Sequence, residues 1–226
     1  MKKRIRFSAN ILTAILVFIG WVLTFLTCGE ILAVTGFENL KFFTVLSNLF
    51  EGLVSILWVV VYLVTKGKTY RWLETLKYVA AVAVFITFTV VLTFFAPLYG
   101  LLGMYKNANL FFHLLVPIVA VLEAILLSET DFSWKENFFV MIPPVLYGVG
   151  YIVNIAVNGM GHGPATNDFY WFLHWGYPVG VLIFACIAAL SYVLGLAIRL
   201  LRKNIAEGFK REKAFEETQN AQEAKQ

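Results

Sequence analysis

The 226-residue chain is 60% apolar or aromatic and only 14% charged, with a formal net charge of +4. That balance excludes an ordinary water-soluble domain, and the basic excess sits at the ends of apolar runs, where it orients a membrane protein and implies no nucleic-acid partner. The apolar residues fall in runs of about 20, the length that crosses ~30 Å of hydrocarbon, and no period-two strand pattern accompanies them. The expected fold class is therefore all-α: a polytopic integral membrane protein of the cell membrane, built as a six-transmembrane-helix bundle.

Lys2, Lys3, Arg4 and Arg6 precede the first run and are expected to hold the N-terminus inside. Span one is expected over residues 11–32, too long for a signal-peptide core. Phe25-Leu26-Thr27-Cys28 faintly resembles a lipoprotein cleavage site, but Thr27 replaces the small residue needed before Cys28, so the span is read as uncleaved. Spans two to six are expected over residues 42–64, 76–97, 110–127, 138–157 and 178–201. The domain organisation is a six-span domain, 1–201, and a charged cytoplasmic tail, 202–226, whose Lys, Glu, Gln and Ala extend helix six briefly and then fray.

Lys66, Lys68, Arg71, Lys77, Lys135, Arg199, Arg202 and Lys203 fall on the same side as the basic start, whereas the opposite side holds only Lys41 and Lys106. By the positive-inside rule both termini are cytoplasmic and residues 33–41, 98–109 and 158–177 are external. The third external segment packs Tyr170, Trp171, Phe172, Trp175 and Tyr177 around several glycines together with His162, Asp168 and His174. It reads as an interfacial aromatic belt or as a lid over an outward-facing cavity, with His162, Asp168 and His174 as lid candidates. Neither Cys28 nor Cys186 has a partner at disulfide or metal-ligand spacing, no carboxylate stands at ligand spacing beside the external histidines, and no cofactor fingerprint is present. No metal and no cofactor are expected.

Polar residues inside apolar runs carry the functional information, because an intramembrane ionisable group must be paired or face a cavity. Span two carries Thr44, Ser47, Asn48 and Glu51 at offsets 0, 3, 4 and 7, one face of an α-helix. Span four carries His113, then Pro117 one turn below, then Glu123, which implies a kinked helix with its own polar side. Both spans enter from outside, so Thr44 and His113 share one depth if the spans are neighbours. A short echo between Asn39-Leu40-Lys41-Phe42-Phe43-Thr44 and Asn109-Leu110-Phe111-Phe112-His113 points the same way.

A hydroxyl beside an imidazole is a nucleophile beside a general base. On that reading Thr44 and His113 are catalytic, and Ser47 and Asn48 donate to a developing oxyanion at about 3 kcal/mol per donor. Asn109, Glu51 and Glu123 are further candidates for substrate or oxyanion contacts. The competing reading makes the same residues interhelical glue, with Thr44 capping a helix start and the glutamates pairing within the bundle.

The segment Phe42-Phe43-Thr44-Val45-Leu46-Ser47-Asn48-Leu49, followed by Asn109-Leu110-Phe111-Phe112-His113, Pro117 and Glu123, resembles the androgen-induced-gene and androgen-dependent TFPI-regulating protein family and its bacterial membrane relatives. Tyr147-Gly148 and Tyr177-Pro178 add to the likeness. The resemblance implies six spans and, from the animal members, a membrane threonine hydrolase that cleaves fatty acid esters of hydroxy fatty acids, with the nucleophile on Thr44 and the base on His113. Ser47-Asn48 is the bacterial form of the motif, so the implied chemistry is ester hydrolysis on a lipid ester or fatty acyl substrate, with membrane lipids as surroundings. The alternative is a non-enzymatic small-molecule carrier or lipid-binding protein whose span-two stripe lines a polar cavity.

Overall fold

The computed structural model describes residues 2–26, 35–162 and 166–223, with side chains through residue 208. Cys28 and the expected end of span one at Leu32 lie outside the described residues. Among those described the chain is all helical, and six helices are long and apolar enough to cross a membrane. They are α1 (Lys2–Leu26), α2 (Phe43–Val64), α3 (Arg71–Tyr99), α4 (Asn107–Leu127), α5 (Trp134–Asn158) and α6 (Tyr177–Glu223).

Two ends differ from expectation. Helix α1 begins at Lys2, so the basic start is helical, and Arg6 is buried at 5% exposure instead of standing free as an anchor. Helix α6 runs on to Glu223, where a brief extension was expected. Ala, Glu, Lys and Gln are strong helix formers, so once α6 is nucleated by packing nothing in that composition stops it.

The helix ends follow local chemistry. Helix α2 stops at Lys66 and Gly67, both left-handed at φ 54° and 88°, and the Gly67 N–H returns to the Tyr62 carbonyl at 2.8 Å, a glycine-dependent C-terminal turn. Helix α5 starts in a capping box: Glu136 N–H donates to the Ser133 hydroxyl, and Ser133 N–H donates to the Glu136 carboxylate at 2.7 Å.

Helix α3 is the axis of the bundle and packs against α2, α4 and α6. Its run Ala80-Ala81-Val82-Ala83-Val84 has no exposed surface, which a helix achieves only with neighbours on every side. The small side chains let those neighbours approach, as membrane bundles require. Tyr78, Val82, Val116, Ala120 and Ile198 join α3, α4 and α6 in one core cluster with Val17 of α1. The outer faces remain apolar: Leu53, Leu63, Leu98, Leu146 and Leu182 are each about 60% exposed or more. So wide an apolar exterior suits hydrocarbon rather than water.

The bundle has two ends. One, the base, holds Arg6, Arg71, Asp131 and Arg202, tied by Arg71 to Glu136, by the Arg71 guanidinium to the Asp131 carbonyl, and by Arg202 to Asp131 at 2.8 Å. The other, the top, holds the 3-10 turn Gly36–Lys41, the loop 100–106 and the described residues 159–162 and 166–176.

Candidate functional site

Helix α4 is not regular around His113. The Val116 N–H, which an α-helix would give to Phe112, goes to the Phe111 carbonyl, so Phe111–Leu115 is π-helical. Pro117 is the physical cause: it has no N–H, and its ring crowds the carbonyl of His113 four residues back, so the turn widens. Pro97 does the same in α3, where Val91–Phe95 is π-helical and Ala96 N–H returns to Val91. The kink expected from Pro117 is thus a π turn with the candidate base at its centre.

The widening leaves the Phe112 carbonyl without a helical partner, and Asn48 supplies one. Its Nδ2 donates to Phe112 at 3.0 Å and also to the Thr44 carbonyl at 2.7 Å. One amide nitrogen therefore joins the backbone of α2 at Thr44 to the backbone of α4 beside His113. Phe42, Val45 and Phe112 share one buried cluster, and Gly20 of α1 lets Phe112 approach so closely that an added Cβ would lie 2.6 Å from its ring. Spans two and four are neighbours at this depth.

His113 is buried, and its Nδ1 lies 2.9 Å from the Met104 carbonyl of the loop 100–106. A carbonyl only accepts, so Nδ1 carries the proton and Nε2 presents its lone pair. A backbone oxygen here plays the orienting part that a carboxylate plays in a catalytic triad. The Thr44 hydroxyl is half-buried and makes no hydrogen bond among the described residues, to His113 or to any other group. The direct Thr44 to His113 hydrogen bond that the spacing allowed is not formed; Asn48 instead links the Thr44 carbonyl to the carbonyl of Phe112, the residue before His113.

Ser47 donates to the Thr44 carbonyl at 3.1 Å and lies 3.2 Å from the Thr87 hydroxyl of α3. It also lines a cavity of about 900 Å³ between α2, α3 and α5. The walls are nearly all apolar, including Phe43, Leu46, Phe50, Val79, Leu146 and Phe169, with Lys41 as the cavity's one basic side chain, at the top. The half-exposed side chains of Leu46, Trp72 and Ile142 show that the cavity opens sideways between α2 and α5. Phe43 and Ser47, the neighbours of Thr44 on the helix, face it; Thr44 and His113 are not in its lining.

Glu51 and Glu123, candidates for substrate contact, pair within the bundle instead. Lys77 bonds Glu51 and lies 3.5 Å from Glu123, and Arg6 bonds Glu123 at 2.5 Å and Glu74 at 2.7 Å. Glu51 and Glu123 are both at or below 2% exposure. Pairing within the bundle is the arrangement that the competing reading described. Arg6, Glu74 and Lys77 were not foreseen as members; the available signal was that each stands within two turns of an apolar run that it would have to enter. Asn109 is half-buried, its backbone N–H on the Lys106 carbonyl, with no side-chain hydrogen bond among the described residues.

At the top, Asp168 is buried and accepts from the Tyr151 hydroxyl at 2.7 Å and from Leu173 N–H at 3.1 Å, so it shapes residues 168–173 from within. Phe43 N–H donates to the Tyr170 hydroxyl at 3.1 Å, and Tyr147 donates to the Lys41 carbonyl at 2.6 Å. These bonds fasten the aromatic segment to the start of α2, one residue from Thr44. Burial pushes the Tyr170 phenol up to about 12, which keeps it a neutral hydrogen-bonding group. His174 is exposed and rests between Trp171 and Trp175, and His162 is exposed, which accords with interfacial side chains.

Comparison with known proteins finds no matching family model, no matching curated protein and no matching solved structure.

Proposed function

We propose that the chain is an intramembrane threonine hydrolase of lipid esters, inserted in the cell membrane with both termini inside. Thr44 is the nucleophile and His113 the base. The observation that carries the reading is the Asn48 amide, which holds the Thr44 and Phe112 carbonyls on one nitrogen and so sets an unbonded hydroxyl beside a helix turn whose histidine has Nε2 free.

In this mechanism Nε2 of His113 takes the Thr44 proton as Oγ attacks the ester carbonyl, and the imidazolium returns the proton to the leaving alkoxide. Water then cleaves the acyl-threonine with His113 again as base, giving the free acid and the original side chains. The apolar cavity is suited to an acyl chain, each methylene buried contributing ~0.8 kcal/mol to binding. Ser47 lines it and donates its hydroxyl to the Thr44 carbonyl, so the cavity comes within one residue contact of the nucleophile's backbone. Because Nε2 and Thr44 Oγ are not bonded in this state, the reactive geometry forms when substrate draws them together. The motif resemblance to the androgen-induced-gene family supports the same pair.

A second reading, a lipid-binding or carrier protein without chemistry, is favoured by one observation: the cavity lining includes neither Thr44 nor His113. Purified protein offered a panel of lipid esters separates the two. The hydrolase reading expects turnover in the wild type and none in Thr44→Ala or His113→Ala, with all three folded; equal release by all three removes it.

A further inference from the structure

The buried ion network is unbalanced. It contains two cations, Arg6 and Lys77, and three carboxylates, Glu51, Glu74 and Glu123, and none of the five exceeds 5% exposure. The charged and titratable groups that bond it or line the small pocket beside it are Arg6 from α1, Glu51 from α2, Glu74, Lys77 and Tyr78 from α3, and Glu123 from α4; on the α6 side Arg202 is taken up by Asp131 and Arg199 by the Phe132 carbonyl. The formal sum is one negative charge, inside a bundle whose exterior is apolar.

The three carboxylates are not equally served. Glu74 accepts from two Arg6 nitrogens, from Trp58 Nε1 at 3.0 Å and from Ser128 at 3.5 Å. Glu123 receives Arg6 on Oε1 and has only the distant Lys77 near Oε2. Glu51 receives Lys77 and Ser55 on Oε1, while its Oε2 is buried with no hydrogen-bond donor. Glu123 Oε2 is likewise without a donor, and a third orphan lies on α1. Asn10 is wholly buried, donates Nδ2 to the Arg6 carbonyl, and leaves Oδ1 without a donor. Val17 against Gly52 and Arg6 over Trp58 fix the antiparallel register of α1 on α2 and bracket Asn10 near the level of Ser55, about one turn from Glu51. The region therefore has one negative charge too many and three buried acceptors without a donor, Glu51 Oε2, Glu123 Oε2 and Asn10 Oδ1. An unpaired carboxylate oxygen in an apolar interior costs several kcal/mol.

We propose that this network is a proton-binding site, with one proton resident on Glu51 at neutral pH. The step is Glu51 carboxylate plus a proton from water giving the carboxylic acid; no other bond changes. It removes the surplus charge and turns an orphan acceptor into a hydroxyl donor. A bound metal cation would answer the charge alone, but the Lys77 ammonium already occupies the space between Glu51 and Glu123. The inference does not depend on the hydrolase reading.

Infrared spectroscopy of the full chain in lipid nanodiscs at neutral pH tests it. The wild type should show the C=O stretch of a protonated carboxylic acid that shifts in D₂O, retained in the exposed-site control Glu129→Gln and lost in Glu51→Gln. Because Gln mimics the neutral acid, Glu51→Gln should unfold thermally within a few degrees of the wild type, whereas Glu74→Gln, which breaks a true ion pair, should fall by roughly 10 °C. A wild-type spectrum without the band overturns the proposal, and that result needs no variant to fold. So does a band that survives Glu51→Gln but vanishes in Glu123→Gln, or a wild-type melting point that depends on sodium at fixed ionic strength and loses that dependence in Glu51→Gln.

Discussion

Asn48 donates to the Phe112 carbonyl at 3.0 Å because Pro117 has left that carbonyl without a partner. A proline in one helix thus creates the acceptor that a side chain of another helix fills, and the bond fixes where Thr44 stands relative to His113. Replacing Asn48 by Ala strands the carbonyl in an apolar interior. The expected loss is about 1–3 kcal/mol of stability, read as a lower melting point in detergent, together with a loss of ester turnover larger than the fraction unfolded explains.

Pro117→Ala tests the other half of that relationship. An N–H at position 117 offers the His113 carbonyl its ordinary partner and relaxes the π turn. The variant is expected to melt at or above the wild-type temperature while turnover falls at least tenfold, since the imidazole is rotated from the Met104 carbonyl that orients it. A variant as active as the wild type would show that the π turn does not position the base.

Gly150 lines the cavity, and a Cβ built there meets nothing within 4 Å. Gly150→Trp should fill the space without disturbing the core. Excluding even two methylenes of an acyl chain removes about 1.6 kcal/mol of binding, roughly tenfold in affinity, so KM for long-chain esters should rise while short-chain esters and the melting point change little.

The ion network predicts a stability effect with no direct catalytic one. Arg6→Ala leaves Glu74 and Glu123 buried without their shared guanidinium, and a loss of about 3–5 kcal/mol is expected. Thermal unfolding followed by circular dichroism checks it; a change under 1 kcal/mol would mean that water reaches these carboxylates.

The six long apolar helices were legible because run length and helical periodicity are local properties of the sequence. The polar face of α2 was legible for the same reason, and Ser55, which bonds Lys77 at 2.7 Å, extends it by one more turn. What could not be read depends on partners far apart in the chain. Arg6 and Glu123 are separated by 117 positions, and nothing local says that a basic residue at a helix start will turn inward. The Met104 carbonyl that orients His113 is a backbone group, identical in every residue and so silent in sequence. The cavity is an absence of packing between α2 and α5, visible only once both helices are placed.

Covalent trapping reads directly whether the Thr44 hydroxyl is made reactive by the His113 imidazole. Purified wild type treated with a lipid-like fluorophosphonate and analysed by intact mass and peptide mapping should carry a single adduct on Thr44, with His113→Ala reducing its rate of formation at least a hundredfold. An adduct that maps to Ser47, or labelling that proceeds equally in Thr44→Ala, would contradict the claim.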